Sequence, residues 1–315
     1  MFETNIQNAW ENYKEDFGLG RIALFICFFN LFLFILCLLI FGRIYPLWLL
    51  PIPICFAFYA FRSSIVKKGN LVIFLMNIIM TNIVITFNYF MVGEFDRMAS
   101  MLPRRDALLA SFDNWLFGGP VALVFENIFM NTGIIASLFY DIIIVSYILY
   151  YVFPYFVGIL YYQQLPVEKK SRIGRYFASV IIYYSLNYLL YIIIPVTGPQ
   201  YYMSEYFYNP LPFSWIGLVW YDTINGMQTT FIDCFPSGHA GAAFLFVFWL
   251  YRINHMYRFL FTFIWILIML ATLALRYHYT LDLVAAIPLA LFSYKLGKYL
   301  LPIGVDVLNL RENRY

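Results

Sequence analysis

The segment IALFICFFNLFLFILCLLIF, residues Ile22–Phe41, decides the class of this fold because it contains no charged residue. Its 20 residues would form a helix roughly 30 Å long, which matches the hydrocarbon core of a bilayer. The run is too long and too bulky for a signal peptide, no small-residue cleavage site follows it, and no basic N-terminal region precedes it. We therefore expect an uncleaved signal anchor.

Seven further apolar runs follow this segment along the chain. The eight runs lie at 22–41, 44–61, 71–92, 134–161, 177–195, 237–251, 259–275 and 279–299. The 315 residues are 63% hydrophobic, 22% aromatic and only 12% charged, a composition that excludes a water-soluble domain. We predict an all-α polytopic membrane protein with about eight transmembrane helices.

The cysteines and the net charge exclude two other classes of protein. Three of the four cysteines, Cys27, Cys37 and Cys55, lie inside apolar runs and leave Cys234 as the one in a polar connection, so no disulfide framework is expected. The net charge is only +3, and the basic residues are spread singly rather than gathered in a stripe. Nucleic acid is therefore not an expected partner.

The basic residues are distributed unevenly between alternate connections. Fifteen of the 20 Lys and Arg residues fall on one side of the predicted topology and five on the other. Because cytoplasmic loops carry the excess of positive charge, we place both termini in the cytoplasm and the connections 93–133, 195–236 and 276–278 outside it. The expected location is the cell (inner) membrane, with the site described below on the non-cytoplasmic face.

The chain divides into three predicted parts. Residues 1–70 would comprise an interfacial helix and two anchoring transmembrane helices, residues 71–300 the working core, and residues 301–315 a cytoplasmic tail. Two stripes of apolar residues at helical spacing fit helices that lie in the membrane interface, and they equally fit packing against neighbouring helices. The stripes are Phe2, Ile6, Trp10, Tyr13 and Phe17, and Leu108, Leu109, Phe112, Trp115 and Leu116.

The run CFPSGHA, residues Cys234–Ala240, leads directly into the sixth apolar run. Pro236 would stand in the first turn of a helix, whose N-terminus presents unpaired N–H groups and the positive end of its dipole to an anion. Gly238 would let an oxyanion approach the backbone closely, with Ser237 and His239 beside it. The pattern indicates a phosphate site, although Pro, Ser and Gly also begin ordinary helices.

His278 and Asp282 are four residues apart at the start of the last apolar run. On a helix they would lie on one face, about 6 Å apart in rise. The carboxylate could accept the proton of one imidazole nitrogen and leave the other nitrogen bare as a nucleophile. An ionised group at full membrane depth costs up to about 3 kcal/mol, so a function is expected for Asp282. Alternatively, the pair is structural and caps the helix here. The third histidine, His255, is expected to be a plain surface residue.

Together these elements, Pro-Ser-Gly-His followed about 40 residues later by His-x-x-x-Asp, resemble the type 2 phosphatidic acid phosphatase superfamily. The resemblance covers roughly residues 71–300. It implies a core of six helices and a phosphohistidine intermediate formed without a metal ion or another cofactor. It assigns His278 as the nucleophile, Asp282 as the residue that orients it and His239 as the general acid for the leaving alcohol. The phosphate would be bound by Ser237 and Gly238.

The sequence departs from the superfamily pattern in the cations that clamp the phosphate. The first motif, Lys followed by six residues and Arg-Pro, is replaced by PVTGPQ at 195–200, which contains no basic residue. The Ser-Arg pair of the third motif is replaced by Ala-Thr at 271–272. Arg276 is the expected substitute, and Gln200 is a further expected phosphate ligand. Two arginines of an outer connection are more distant candidates: Arg104 and Arg105.

One branch of the superfamily resembles this chain further. The segment RYHYTLDLVA, Arg276–Ala285, is similar to the inositol phosphorylceramide and sphingomyelin synthases, and residues 106–118 resemble the stretch ahead of the core in inositolphosphotransferases. This resemblance implies transfer of a phosphoalcohol headgroup between lipids, with phospholipids or sphingolipids as substrates. The alternatives are a hydrolytic lipid phosphate phosphatase and a non-catalytic membrane transporter or scaffold.

Two further features leave their roles open at this point. Asp141 lies inside the fourth apolar run, where a carboxylate either has a function or bonds a neighbouring helix. Aromatic residues crowd the connection at 195–236, where they would either cover the site and limit water or form an interfacial belt. They are Tyr201, Tyr202, Tyr206, Phe207, Tyr208, Trp215 and Trp220.

Overall fold

The structure is a computed structural model that describes residues 2–42, 45–98, 103–129, 132–166, 170 and 172–300. Within these ranges the chain forms helices and connecting loops, with one isolated parallel bridge between Val196 and Asp233 and no named strand. The prediction of an all-α polytopic membrane protein is confirmed. The predicted tail at 301–315 lies outside the described residues, as do the side chains of the N-terminal stripe at 2–17.

The helices follow the apolar runs closely. In chain order they are α1 Phe2–Phe41, α2 Pro51–Val66, α3 Asn70–Asn82, α4 Tyr89–Met98, α5 Asp106–Phe117, α6 Val121–Phe129, α7 Ile134–Leu149, α8 Phe153–Gln164, α9 Ile173–Ile193, α10 Pro199–Tyr202, α11 Trp215–Met227, α12 Gly238–Arg252, α13 Arg258–Ala274 and α14 Thr280–Leu300. A π-helical segment, Ile83–Asn88, joins α3 to α4. The N-terminal amphipathic segment and the first apolar run form one continuous helix, α1, and the interfacial position of its first part stays a prediction.

Five helical stretches among the described residues are long and apolar enough to cross a membrane. They are Gly18–Ile40, Pro46–Val66, Asn70–Arg97, Ile173–Ile193 and Thr280–Tyr299, and the number rises to seven if two bent pairs each count as one span. The bent pairs are α5 with α6, at 44°, and α7 with α8, at 61°. Three of the eight predicted runs are not among the five stretches. The run at 134–161 is the bent pair of α7 and α8, and α12 and α13 have only 15 and 17 residues.

The bend between α5 and α6 has a local cause. Gly118 ends α5 in the left-handed region, with a φ of 75°, and Pro120 directly precedes the first residue of α6. Glycine adopts this conformation without strain, and proline is favoured where a helix begins. The sequence analysis placed this stretch in an outer connection, whereas its two helices together are apolar enough for a broken span or a re-entrant loop.

The chain divides into two compact units. The first comprises Met1–Thr86, Tyr161–Ile182 and Ser293–Tyr315, and the second comprises Phe87–Leu160 and Tyr183–Phe292. In the first unit α1 packs along α2, where the Gly20 backbone lies against the Arg62 side chain. The predicted boundaries at residues 70 and 300 stay a prediction.

The second unit contains every residue of the predicted site. One apolar cluster lies between α7, α11 and α13 and includes Tyr140, Ile143, Ile144, Tyr147, Ile224, Ala271, Ala274 and Leu275. A second cluster joins α5 to the loops that precede α12 and α14 and includes Leu109, Ala110, Val196, Met203, Cys234 and Tyr279. Leu109 is therefore buried, whereas Leu108 and Trp115 are exposed. The stripe of apolar residues at 108–116 thus packs against the protein along one side only.

Candidate active site

The Pro-Ser-Gly-His motif forms the N-terminus of α12. Ser237 is the N-cap, and its Oγ accepts a hydrogen bond from the Ala240 N–H at 3.3 Å. The helix thus begins at Gly238, so Pro236 precedes the cap instead of standing in the first turn as predicted. Two side chains of α9 hold the motif: Tyr183 donates to the Ser237 carbonyl at 3.0 Å and Asn187 to the Pro236 carbonyl at 2.8 Å.

Glycine at position 238 allows the N-terminus of α12 to pack closely against α9. A Cβ at this position would lie 2.8 Å from the Tyr191 hydroxyl and 3.1 Å from the Asn187 Oδ1. The first contact is too short for a carbon atom and the second is tight, so a larger residue would require the Tyr191 and Asn187 side chains to shift. The close approach of an oxyanion to Gly238 stays a prediction.

His278 and Asp282 form the expected pair at the start of α14. His278 Nδ1 lies 3.3 Å from Asp282 Oδ2, and both side chains are buried. The same oxygen accepts hydrogen bonds from the Tyr279 N–H and from the Cys234 thiol, each at 2.8 Å. Since a carboxylate can only accept, a neutral His278 carries its proton on Nδ1 and has a bare Nε2. This is the protonation state that a histidine nucleophile needs.

The two motifs are in direct contact in the folded chain. The Ser237 N–H donates to the Asp282 carbonyl at 3.2 Å, and the ring centroids of His239 and His278 are 6.3 Å apart. A hydrogen-bonded or attacking atom stands about 3 Å from its partner, so one phosphate group between the rings can reach both. The structure therefore brings together the three side chains for which the sequence predicts catalysis.

His239 is sandwiched by tyrosines. Its ring lies 4.3 Å from the Tyr147 ring in a stacked arrangement and 4.2 Å from the Tyr150 ring. Nδ1 is 3.4 Å from the Tyr147 hydroxyl, whereas the buried Nε2 has no hydrogen-bond partner among the described residues. A buried polar atom without a partner needs an explanation, and a hydrogen bond to a bound oxyanion would supply one.

Two carboxylates that the sequence analysis did not assign to the site support its loops. Asp106 accepts hydrogen bonds from the backbone N–H groups of Thr197, at 3.0 Å, and Gly198, at 2.8 Å, and from the Tyr279 hydroxyl at 3.0 Å. Asp113 accepts from the Thr280 N–H at 3.1 Å, at the first residue of α14. The loop that lacks the basic residues of the first motif is thus bound by a carboxylate. The seven-residue spacing of these aspartates on α5 is the signal that could have identified them.

Asp233 and Cys234 were also missed, and both adjoin the histidine pair. The Asp233 carboxylate accepts from the Tyr89 hydroxyl at 2.7 Å, and burial raises the pKa of this carboxyl. The Cys234 sulfur lies 3.6 Å from His278 Nδ1, and burial together with the Asp282 charge raises the pKa of the thiol. The thiol therefore stays protonated and donates to Asp282. Cys234, His278 and Asp282 also have the atoms that could hold a metal ion.

The expected substitute for the phosphate clamp is already engaged by other groups. Arg276 donates through Nε and Nη2 to Glu126 Oε1, at 2.9 and 2.7 Å, and through Nη2 to the Asn209 carbonyl at 2.7 Å. Its guanidinium lies over the Phe207 ring at 4.5 Å, and the Gln200 N–H donates to its carbonyl at 2.9 Å. The phosphate-binding roles of Arg276 and Gln200 stay predictions.

Two further charged residues from the sequence analysis, Arg104 and Asp141, contact nearby parts of the chain. Arg104 pairs with Asp96 at 2.7 Å, and Asp96 also accepts from the Phe231 N–H at 2.6 Å. Asp141 accepts from the Ser214 N–H at 3.1 Å, at the start of α11. The Gly217 backbone comes so close that a Cβ there would lie 2.0 Å from an Asp141 carboxylate oxygen. Asp141 thus has the contact to a neighbouring helix that was one of its two expected roles.

Replacing Arg276 by glutamine is expected to lower both stability and turnover. The partly buried Glu126 would lose its partner, which costs about 1 to 3 kcal/mol of unfolding free energy. If Arg276 also contacts the phosphate, turnover should fall about tenfold or more. Thermal unfolding in detergent and headgroup release by the purified protein measure the two effects.

The double variant Glu126→Gln/Arg276→Gln separates the two roles of Arg276. It leaves no unpaired charge, so we expect it to regain stability relative to Arg276→Gln while turnover stays low. Full turnover in the double variant would mean that a residue other than Arg276 supplies the positive charge that binds the phosphate. Unchanged stability in Arg276→Gln would contradict the structural role of its ion pair with Glu126.

Comparisons with known proteins match the part of the chain that contains these residues. A family model described as PAP2 superfamily matches residues 109–296, which is 188 of the 315 residues and includes both histidines and Asp282. A PA-phosphatase related-family protein of Dictyostelium discoideum is 29% identical over 186 residues, and the match covers 53% of this chain. It covers only 34% of the Dictyostelium protein, so the chain spans about a third of that relative. No solved structure matches the chain.

Proposed function

This chain belongs to the PAP2 superfamily, and from that premise we propose that it is a membrane enzyme that transfers a phosphate-bearing group from a lipid through a phosphohistidine on His278. The observation that carries the proposal is the contact of His278 Nδ1 with Asp282, which leaves Nε2 free beside His239. Membership of a lipid phosphatase family and the apolar helices support a lipid substrate held in a membrane.

The reaction would proceed in two balanced steps. In the first, the lone pair of His278 Nε2 forms a bond to phosphorus while the bond between phosphorus and the donor lipid's oxygen breaks, and protonated His239 gives its proton to that oxygen. In the second, an acceptor hydroxyl gives its proton to His239 and attacks phosphorus, and the bond to His278 breaks. Splitting the transfer in this way is the usual advantage of nucleophilic catalysis.

We favour a lipid alcohol over water as the acceptor in the second step. His278 and Asp282 are 4% and 0% exposed, so little bulk water reaches the nucleophile, and exclusion of water protects an intermediate from hydrolysis. The tyrosines and tryptophans of the 195–236 connection do not supply this cover, because most are exposed, as an interfacial belt would be. Tyr147 and Tyr150 of α7 instead pack against His239, and the Tyr191 hydroxyl of α9 lies close to Gly238, so buried tyrosines line the site beside the nucleophile.

The second candidate function is hydrolysis of a lipid phosphate. The name of the Dictyostelium relative, a PA-phosphatase related-family protein, favours it for that protein. Hydrolase and transferase share the first step and differ only in the acceptor. The unequal distribution of basic residues supports a site on the non-cytoplasmic face of a cell membrane, where either acceptor is available.

An acceptor-dependent assay tests the proposal. The purified chain in lipid vesicles would receive phosphatidylinositol, phosphatidylcholine or phosphatidic acid as donor and labelled ceramide or labelled diacylglycerol as acceptor. We expect a new phospholipid or sphingolipid that carries the donor's headgroup, and its yield should rise with the acceptor at the expense of free phosphoalcohol. Release of free phosphate or phosphoalcohol that no acceptor reduces would favour the hydrolase, and no turnover of any donor would overturn both enzymatic functions.

A further inference from the structure

The side chains around the His278 nucleophile include the ligand set of a transition-metal ion. The Cys234 sulfur, a His278 ring nitrogen and an Asp282 carboxylate oxygen lie within 4.8 Å of one another. All three residues are buried, and theirs is the one such group of three found among the described residues. Thiolate, imidazole and carboxylate are the three ligand types that Zn²⁺ takes in proteins.

The distances are close to those of a tetrahedral zinc site. Zinc–ligand bonds of about 2.0 to 2.3 Å place neighbouring ligand atoms about 3.4 to 3.6 Å apart. Here the sulfur lies 3.6 Å from His278 Nδ1, and Nδ1 lies 3.3 Å from Asp282 Oδ2. The third pair, the sulfur and Oδ2, is 2.8 Å apart and must open by less than 1 Å.

A second observation points to a ligand at this place. Asp282 is fully buried, and its Oδ1 has no hydrogen-bond partner among the described residues. Oδ1 therefore has no hydrogen bond to lose if it joins Oδ2 in binding an ion. Buried carboxylate oxygens normally accept hydrogen bonds, so the lack of a hydrogen-bond partner for Oδ1 needs an explanation.

We propose that Cys234, His278 and Asp282 bind Zn²⁺ or a similar divalent transition-metal ion, and that the bound ion switches the enzyme off. Coordination through Nδ1 uses the lone pair of that nitrogen, so the neutral ring must carry its proton on Nε2. Nε2 then has no lone pair for attack on phosphorus. The ion blocks catalysis by imposing the wrong tautomer, even where a phosphate still fits beside His239. This effect on catalysis rests on the proposed function, whereas the binding of the ion does not.

The proton balance of this step is simple. The thiol loses its proton to solvent and becomes the thiolate that binds the ion, and the His278 proton moves from Nδ1 to Nε2 through solvent. One proton is released for each ion bound, and nothing is oxidised or reduced. A coordinating thiol loses its proton outright, because the charge of the ion outweighs the burial that otherwise holds the proton on sulfur.

The ligand set also determines which ions would bind. A thiolate and an imidazole favour Zn²⁺ and Co²⁺, whereas Mg²⁺ and Ca²⁺ prefer sites made of oxygen ligands. The site should therefore distinguish Zn²⁺ from Mg²⁺.

Cobalt spectroscopy on the purified full chain tests the binding without reference to activity. Co²⁺ should produce the absorption of a thiolate bound to cobalt, and Zn²⁺ should abolish it by displacement. The band should be absent in Cys234→Ala. It should also be absent in Cys234→Ser, whose nearly isosteric side chain controls for a folding defect. As a matched control, a variant with Cys27, Cys37 and Cys55 all changed to alanine should keep the band. A band that persists without Cys234, or that never appears in the wild-type chain, would overturn the proposal.

Inhibition is the second readout. Zn²⁺ should stop headgroup release by the wild-type protein, Mg²⁺ should not, and a chelator should restore the rate. Cys234→Ser should need more than about tenfold more Zn²⁺ for the same inhibition. Cobalt binding at Cys234 without inhibition by Zn²⁺ would overturn the switch. Absence of turnover in the metal-free wild-type protein would count against the proposed function instead, and the cobalt spectrum would still decide the metal site.

Discussion

Substitution of His278 by alanine is expected to lower headgroup or phosphate release by about 10³-fold or more, because the nucleophile is lost and the neighbouring Cys234 thiol, hydrogen-bonded to Asp282, stays protonated. The wild-type chain, quenched during turnover of a labelled lipid, should carry a phosphate that is labile in acid and stable in base, as phosphohistidines are. The variant should carry none. Turnover and labelling of the purified protein are the two measurements.

His255 provides the matched control for this experiment. It is the third histidine, it lies in the loop between α12 and α13, and its Nδ1 accepts a hydrogen bond from the Tyr257 N–H at 3.2 Å. His255→Ala should leave turnover and labelling unchanged. If His278→Ala retained full turnover, the proposed phosphohistidine on His278 would be wrong. If the wild-type chain turned over no lipid at all, a non-catalytic role such as lipid transport or scaffolding would be favoured.

Substitution of Asp282 by asparagine is expected to lower turnover by about 10²- to 10⁴-fold, as the tautomer-fixing aspartates of serine hydrolases lead us to expect. Asp282 Oδ2 accepts from His278, Tyr279 and Cys234, and an asparagine amide offers only one acceptor oxygen. If the amide nitrogen faces the ring, Nδ1 must accept and the proton moves to Nε2. The nucleophile would then be present but in the wrong tautomer.

Asp222 is the matched control for Asp282. It is an exposed carboxylate on α11, so Asp222→Asn should change neither turnover nor thermal stability. The Asp282→Asn chain must also be checked by thermal unfolding in detergent, since the substitution disturbs contacts to α14. A folded variant with turnover within about threefold of wild type would show that Asp282 does not control the His278 tautomer.

The sequence predicted those features that depend on residues close together in the chain. The apolar runs correspond to helices because a backbone in lipid must satisfy its own hydrogen bonds, which only helices and closed barrels allow. The His278–Asp282 pair was predictable because a separation of four residues places two side chains on one helix face. The N-terminus of α12 was predictable to within two residues from Ser237, a favoured N-cap residue.

The features that were missed depend on residues far apart in the chain. Cys234 looked like a single cysteine in a polar loop, yet it donates to Asp282, which is 48 positions away. Arg276 looked like a free cation beside the nucleophile, yet Glu126, 150 positions away, binds it. The two aspartates of α5 appeared only within the segment 106–118 that resembles inositolphosphotransferases, yet they accept hydrogen bonds from the loops that carry the site.

The sequence by itself determined the membrane class, the helices and the identity of the histidines and the aspartate that we propose for catalysis, because apolar length and helical spacing are local properties. Only the tertiary structure decided which charges are neutralised, which hydroxyls hold the α12 N-terminus and which thiol lies against the nucleophile. Those contacts depend on the packing of α5, α7 and α9 around two loops. Packing is set by the shapes of many side chains together, and no spacing along the chain specifies it.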